Sequence, residues 1–203
     1  MNLKNIYPLI VPADYCANGT WILPLYKFAN KSFILTWVIF SGEGAMLYLT
    51  QQKYLELKSI GQNWQAQAFE NLRHSIGENE NFFSSYKISS DGKRLIFIAF
   101  LNGDGIGSSR ILLSDELTKA FPNGYYIALP DRSCGLIISK DIADREMREA
   151  KKLIKKMFKG ATTPMSGMMH LPIEFVLPQD WLKSLDEEFS KTITNEIIKL
   201  YPK

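Results

Sequence analysis

The chain has 203 residues, a formal net charge of +3 at pH 7, and 46% hydrophobic and 22% charged residues. This balance is that of an ordinary globular protein, and the length predicts a single domain that buries a core without covalent staples. So small a charge does not by itself predict nucleic-acid binding, which needs lysines and arginines clustered on one face.

The cysteines and the apolar segments of the chain indicate the cellular compartment that we expect. Cys16 and Cys134 lie far apart in the sequence, so we expect reduced thiols in a cytosolic protein, with a bridge between them as the alternative. The apolar stretch 32–49 is divided by Glu43 between two glycines, which argues against a membrane-spanning helix. The apolar run near the N-terminus is too short for a signal peptide. We therefore expect a cytoplasmic protein with no membrane segment.

The first part of the chain predicts strands followed by two helices. Short strands are expected at 6–11 and 20–26, at sheet edges or in extended connections, because Pro8, Pro12 and Pro24 cannot donate to a ladder. The run 32–40 predicts a strand covered on both sides that forms a hairpin with 45–49. Helices are expected at 51–59 and from an Asn63 cap to about Ile76.

The second part predicts hairpins alternating with helices. Asp91-Gly92 joins strands at 82–89 and 93–101, and the turn 131–133 joins strands at 125–130 and 135–139. Helices are expected at 109–121 and 140–159; alternatively, 110–113 continues as strand and Ser114 caps a shorter helix. A strand at 173–177 and a helix opening at Pro178 complete the order ββ-αα-ββ-α-ββ-α-β-α. This order predicts an α+β fold with a mostly antiparallel sheet built of hairpins and helices packed over it.

The glycine-rich loop Gly103–Ser108 is the first candidate site. It lies between a strand and an expected helix, where a dinucleotide fingerprint would lie, but Ser108 stands where the third glycine would be needed. No Gly-Lys-Ser/Thr follows, so we predict no phosphate loop and no bound cofactor. Asp104 in this loop remains a candidate polar residue.

Catalytic and metal-binding patterns are also absent from the sequence. Cys134 follows an Asp-Arg-Ser turn, where it is either a nucleophile activated by a basic neighbour or, as we favour, a buried thiol. The histidines, His74 and His170, belong to no catalytic or metal-ligand motif, so no metal is predicted. Whether the protein is an enzyme stays open, and these absences favour a non-enzymatic role.

Two surface segments are candidates for binding a partner. Five lysines occupy the second half of the 140–159 helix, from Lys151 to Lys159, as either a basic patch or a solvated helix face. The segment Met165–His170 is rich in methionine, which favours adaptable packing in the core or in a partner groove.

Three short patterns resemble one known family: Ala68–Leu72, Ser108–Leu113 and Ala128–Arg132. In this order they are similar to the YtpQ-like family of uncharacterised bacterial proteins, over roughly residues 45–140. The resemblance implies a bacterial cytosolic α+β protein and brings no catalytic residues with it. Each pattern carries one of Asn71, Arg110 and Arg132, which draws attention to them as a polar cluster.

Three functions follow as hypotheses. The first is a non-enzymatic protein-interaction module that uses the methionine-rich segment or the lysine helix. The second is a binder of, or an enzyme acting on, a small anionic ligand, because arginine forks suit phosphate and carboxylate. Its predicted ligand-binding residues are Asn71, Asp104, Arg110, Asp131 and Arg132. The third is nucleic-acid binding through Lys151–Lys159, which we rank last.

Overall fold

The computed structural model describes residues 3–16, 24–41, 44–59, 63–75 and 83–178. The chain divides into two units, the first made of residues 1–71 and 177–203 and the second of residues 72–176. Both units combine helices with antiparallel strands, so the predicted α+β class is confirmed. The organisation as one domain stays a prediction, and each unit is described in turn.

The sheet of the first unit is centred on its longest strand. It contains β1 (Ile6–Pro12), β2 (Tyr26–Lys27), β3 (Phe33–Phe40) and β4 (Met46–Tyr48), and β3 pairs antiparallel with the other three. Because β1 lies at an edge, its prolines remove no hydrogen bond from the middle of the sheet. Every β3 residue except Phe40 is buried, as expected for a strand covered on both sides.

Two helices accompany this sheet, α1 (Gln51–Ser59) and α2 (Trp64–His74). The predicted cap of α2 is confirmed, because the Ala66 amide donates to Asn63 Oδ1 at 3.1 Å. The Trp64 ring packs edge-on against Trp37 of β3, with ring centroids 5.0 Å apart. The predicted helix end at Ile76 falls outside the described residues.

The second unit contains a five-stranded antiparallel sheet in the order β5-β6-β8-β7-β9. Its strands are β5 (Ser85–Ile88), β6 (Leu95–Phe100), β7 (Tyr125–Asp131), β8 (Cys134–Ser139) and β9 (Met169–His170). Both predicted hairpins, β5-β6 and β7-β8, are present. Gly92 has a φ of 70° in the first turn, a left-handed conformation that explains why glycine follows Asp91 there.

The predicted helix 109–121 is wrong as a single element. A 3₁₀ helix (Gly107–Leu112) is followed by α3 (Ser114–Ala120), and the break falls at Leu113, whose ψ of 58° is not helical. The alternative, a shorter helix capped by Ser114, is off by one residue, because Ser114 is the first residue of α3 and Leu113 is its N-cap; the strand that it places before the helix is wrong. The 3₁₀ segment packs so closely on the 131–133 turn that a Cβ on Gly107 would lie 2.0 Å from the Ser133 carbonyl oxygen.

Helix α4 (Asp144–Lys159) begins four residues later than predicted. The Ala143 amide donates to the Glu146 carboxylate at 2.9 Å, which satisfies one of the open backbone donors at the helix start. Ala150 and Ile154 of α4 pack against the sheet in one core cluster with Ala99, Ala128, Cys134, Leu136 and Ile138. Antiparallel pairing and the α4 periodicity therefore place this helix over one face of the sheet.

The last predicted strand, 173–177, is wrong. Pro172–Phe175 form a 3₁₀ helix, and the Glu174 carboxylate accepts the Leu171 amide at 2.7 Å across its first turn. The strand forms earlier, as β9, which pairs with Ile127 and Ala128 of β7. The predicted helix after Pro178 lies outside the described residues. None of the described helices is long and apolar enough to cross a membrane.

Candidate functional site

Two of the predicted ligand-binding residues, Asp104 and Arg110, bind each other. Arg110 is completely buried, and its guanidinium donates to the two Asp104 carboxylate oxygens at 2.5 and 3.2 Å. Its Nη2 also donates to the Ser75 carbonyl and hydroxyl oxygens, at 3.2 and 3.1 Å. Asp104 in turn accepts the Ile106 amide, which fixes the glycine-rich loop. Arg110 thus holds the loop and the 3₁₀ helix together, and a ligand anion would have to displace Asp104.

Asp131 organises the turn between β7 and β8. Its carboxylate accepts the amides of Ser133 and Thr163, both at 2.8 Å, and the hydroxyls of the same two residues. Burial by itself raises the pKa of Asp131, but these hydrogen bonds outweigh it and leave the pKa below its ordinary value. The carboxylate therefore ties the turn to the chain that follows α4.

Arg132 and Cys134 belong to the same turn. The Arg132 carbonyl accepts the Ser108 amide at 3.1 Å, while its side-chain Nε is buried with no acceptor among the described residues. Cys134 is a free, buried cysteine, and burial together with the nearby Asp131 charge raises the pKa of its thiol to about 12. A thiol in this state is protonated at neutral pH and is a poor nucleophile.

Asn71 binds backbone of the first unit. Its amide nitrogen donates to the carbonyl oxygens of Leu3 and Ile6, at 2.7 and 2.8 Å, and its Oδ1 accepts Gln67 Nε2. These bonds anchor the start of β1 to α2. Ligand binding stays a prediction for the five residues Asn71, Asp104, Arg110, Asp131 and Arg132. In this structure each of them forms hydrogen bonds within its own unit, Arg132 through its backbone carbonyl.

The second unit contains a groove of about 530 Å³ beside α4. One wall is the flank of α4 where exposed and buried residues meet, and the other is the chain that returns from α4 through β9. The residues of the α4 groove are Tyr126, Met147, Lys151, Ile154, Lys155, Gly167–Leu171 and Glu174. A groove of this volume, lined by apolar side chains together with charged ones, has the size of a binding site.

The return wall is fixed by local contacts. His170 is buried; one ring nitrogen lies 3.1 Å from the Ser166 hydroxyl, and the other lies 3.4 Å from Glu174 Oε2. The Ser166 amide donates to the Leu129 carbonyl at 2.8 Å. This wall is therefore held on β7 by backbone bonds, and the His170 ring links two residues of the wall, Ser166 and Glu174, to each other.

Apolar side chains extend from this wall into solvent. Met168 is 66% exposed and Ile173 is 68% exposed, and Leu171 and Val176 are exposed as well. Exposed apolar side chains that adjoin a groove are characteristic of surfaces that bind other molecules. Scattered single residues would need no explanation, but Met168 and Leu171 line the groove, and Ile173 and Val176 follow within five residues along the chain.

Lys151 and Lys155 supply the charge on the α4 wall. Both are exposed, and within the described ranges no carboxylate lies within ion-pair distance of either ammonium group. They are four residues apart on one helix face, an arrangement in which like charges repel. An anionic group bound between them would relieve this repulsion.

Metal and catalytic clusters are a separate question. Among the residues that the structure describes, no group of three or more histidine, cysteine, aspartate or glutamate side chains is placed to hold a metal ion.

Comparisons with protein-family models, with curated proteins and with solved structures find no match to this chain. Membership of the YtpQ-like family therefore stays a prediction.

The sequence indicates the two segments that form the walls of the α4 groove, but it does not predict that they lie side by side. Met165–His170 and Lys151–Lys159 were separate candidates, and the structure brings part of each into one groove. The available signal was Gly160 followed by Pro164 and Gly167, which stops the helix and favours an extended return. Tyr126 and Glu174 carried no sequence signal, because their place in the groove depends on the β7-β9 pairing.

Proposed function

We propose that this protein is a non-enzymatic interaction module that binds a partner protein in the α4 groove. The observation that supports the proposal most is the combination of the groove with the exposed apolar side chains of Met168, Leu171 and Ile173 beside it. Met168 and Leu171 line the groove and yet are exposed, and Ile173 follows two residues after Leu171, so apolar side chains are accessible on this wall, which suits an apolar polypeptide surface.

The methionines favour the same conclusion. Met147, Met168 and Met169 line the groove, and methionine side chains are flexible and polarizable, so they adapt to the shape of an apolar partner surface. The wall that carries two of them is anchored by backbone pairing of β9 with β7, so the methionine side chains move on a fixed backbone. A groove of this kind needs no chemistry beyond packing and charge.

The anionic-ligand function has less support. Arg110 is fully buried and satisfied in part by Asp104 and Ser75, and Asp131 accepts hydrogen bonds from Ser133 and Thr163. Each of these contacts holds the fold together, and a small anion would reach Arg110 only by breaking them. Because breaking a buried ion pair is costly, we place the binding function in the α4 groove.

A photo-crosslinking experiment in the protein's native cells tests this proposal. A photoreactive amino acid replaces Met168 in the groove wall or, as a control, Leu101, which is 49% exposed on the same unit outside the groove. We expect a discrete protein adduct from position 168 that is absent from position 101. Substituting Leu171→Asp should abolish the adduct. No adduct at 168, or the same adducts from both positions, would refute the proposed function.

A further inference from the structure

The charges of the α4 groove define the chemistry of its occupant. Resting on the proposed function, we infer that the partner contributes an acidic amphipathic segment, whose carboxylates lie against Lys151 and Lys155 and whose apolar side chains enter the groove between Met147, Ile154 and the methionines of the return wall. The segment is part of a protein, and neither a nucleic acid nor a membrane surface fits the groove as well.

The α4 wall is complementary to a pair of carboxylates. Lys151 and Lys155 project from adjacent turns of one helix, are exposed, and have no carboxylate partner among the described side chains. Ile154 lies between them in sequence and reaches down into the core, at 1% exposure. The wall therefore presents positive charge at the rim and apolar surface below. This arrangement is complementary to an amphipathic segment with carboxylates on one face and apolar side chains on the other.

A nucleic acid matches this groove poorly. Base stacking needs an open aromatic face, and Tyr126 is the aromatic residue that lines the groove. The Lys140 ammonium already lies over the Tyr126 ring, 5.3 Å from its centroid. Lys151 and Lys155 suit phosphates as well as carboxylates, but the apolar lining side chains, Met147, Ile154, Met168, Met169 and Leu171, have no counterpart in a phosphate backbone.

The return wall argues against any uniformly anionic surface. Glu174 lines the groove opposite the lysines, and its carboxylate also accepts the Leu171 amide. A phosphate backbone or an anionic bilayer would bring negative charge against Glu174 as well as toward Lys151 and Lys155. A peptide can place carboxylates on one side only, so the opposed charges of the two walls also set its orientation.

The helix offers a matched pair of variants for the test. Lys152 and Lys156 share the spacing, the exposure and the charge of Lys151 and Lys155 on the same helix, but they do not line the groove. The double variants K151E/K155E and K152E/K156E change the net charge of the protein equally. A larger loss of peptide affinity in K151E/K155E would therefore show that the peptide binds in the groove. Equal losses in both variants would show that only the overall charge of the helix matters.

The experiment measures fluorescence anisotropy with labelled helical peptides. The probe carries leucines along one face and glutamates along the other; lysine-leucine and glutamate-only peptides are controls. We expect wild type to bind the acidic amphipathic peptide, K151E/K155E to weaken binding by about tenfold or more, and K152E/K156E to weaken it by less than about threefold. The neutral variant K151Q/K155Q should show an intermediate loss, and thermal unfolding identifies any variant that fails to fold.

Other outcomes overturn the inference. Equal losses in the two glutamate variants, tight binding of the glutamate-only peptide, or no binding of the acidic amphipathic peptide would each do so. Binding of phosphatidylglycerol vesicles or of single-stranded RNA that depends on Lys151 and Lys155, without peptide binding, would assign the groove to that surface instead. If the adduct at position 168 persists in K151E/K155E, the protein-binding function stands and the acidic partner does not.

Discussion

The Asp104–Arg110 pair yields a quantitative prediction, because one partner is far more deeply buried than the other. The Arg110 side chain is fully buried, whereas the Asp104 side chain keeps 29% of its exposure. In Asp104→Ala the guanidinium keeps its two bonds to Ser75 but loses its counter-charge. Removing one partner of a buried pair costs about 3–5 kcal/mol, and because Asp104 is partly hydrated we expect about 3 kcal/mol.

Arg110→Met should cost less. Asp104 then loses its cation but remains partly hydrated and still accepts the Ile106 amide at 3.1 Å, so we expect about 1 kcal/mol. The asymmetry leads to the decisive variant: in Asp104→Ala/Arg110→Met the uncompensated charge is gone, so the double variant should be at least as stable as Asp104→Ala alone.

Urea unfolding followed by far-ultraviolet circular dichroism measures all three free energies of unfolding. Additive losses in the double variant would show that the two side chains do not stabilise each other, and would refute the argument from burial. A loss of less than about 0.5 kcal/mol in Asp104→Ala would do the same, since it would place the pair among exposed ion pairs. Rescue by the second substitution is the result that burial requires.

Three further predictions concern the turn around Asp131. Gly107→Ala should destabilise the protein by about 1–3 kcal/mol in urea unfolding, because its Cβ would lie 2.0 Å from the Ser133 carbonyl oxygen. The control Gly160→Ala should be close to neutral, because its Cβ would lie 3.6 Å from the nearest atom. Asp131→Asn should lower the urea midpoint at neutral pH and have little effect in acid. Because the pKa of Asp131 is lowered in the folded protein, its carboxylate stabilises the fold above the ordinary aspartate pKa, and this stabilisation is lost as the pH falls through the folded-state pKa. An equal effect at both pH values would contradict this prediction. Cys134, with its thiol pKa raised to about 12, should resist iodoacetamide at pH 8 in the folded protein and react after unfolding in urea, as peptide mass spectrometry would show; rapid modification of the native protein would contradict its burial.

Local patterns carried most of the fold. The β3 run is a strand-length segment of β-branched and aromatic residues, the Asp91-Gly92 pair is a turn dipeptide and the α4 stripe has a helical period, and all three predicted elements are present. The failures occurred where tertiary contacts override the local pattern. The 109–121 segment has a helical period, but Gly107 must fit beneath the Ser133 carbonyl, and this close packing gives a 3₁₀ helix before α3.

The polar residues selected from the sequence are a different case. Asp104, Arg110 and Asp131 stand in a glycine-rich loop and a tight turn, where functional residues are often found. The same places need polar side chains to satisfy backbone groups that no regular ladder pairs, and all three bind backbone here: Asp104 the Ile106 amide, Arg110 the Ser75 carbonyl and Asp131 the Thr163 amide. A single sequence does not separate the two roles, because both call for the same residue types at the same positions.

The α4 groove depends on a contact that no local pattern encodes. Its two walls come from segments that the sequence marks independently, and they meet because β9 pairs with Ile127 and Ala128, next to the strand surface on which α4 packs. Asp131 secures the connection, since it binds Thr163 at the start of the return from α4. The Asp131 turn thus bears on binding indirectly. Loosening it in Asp131→Asn should reduce peptide affinity through the return wall, and an unchanged affinity would show that the Thr163 contact does not support this wall.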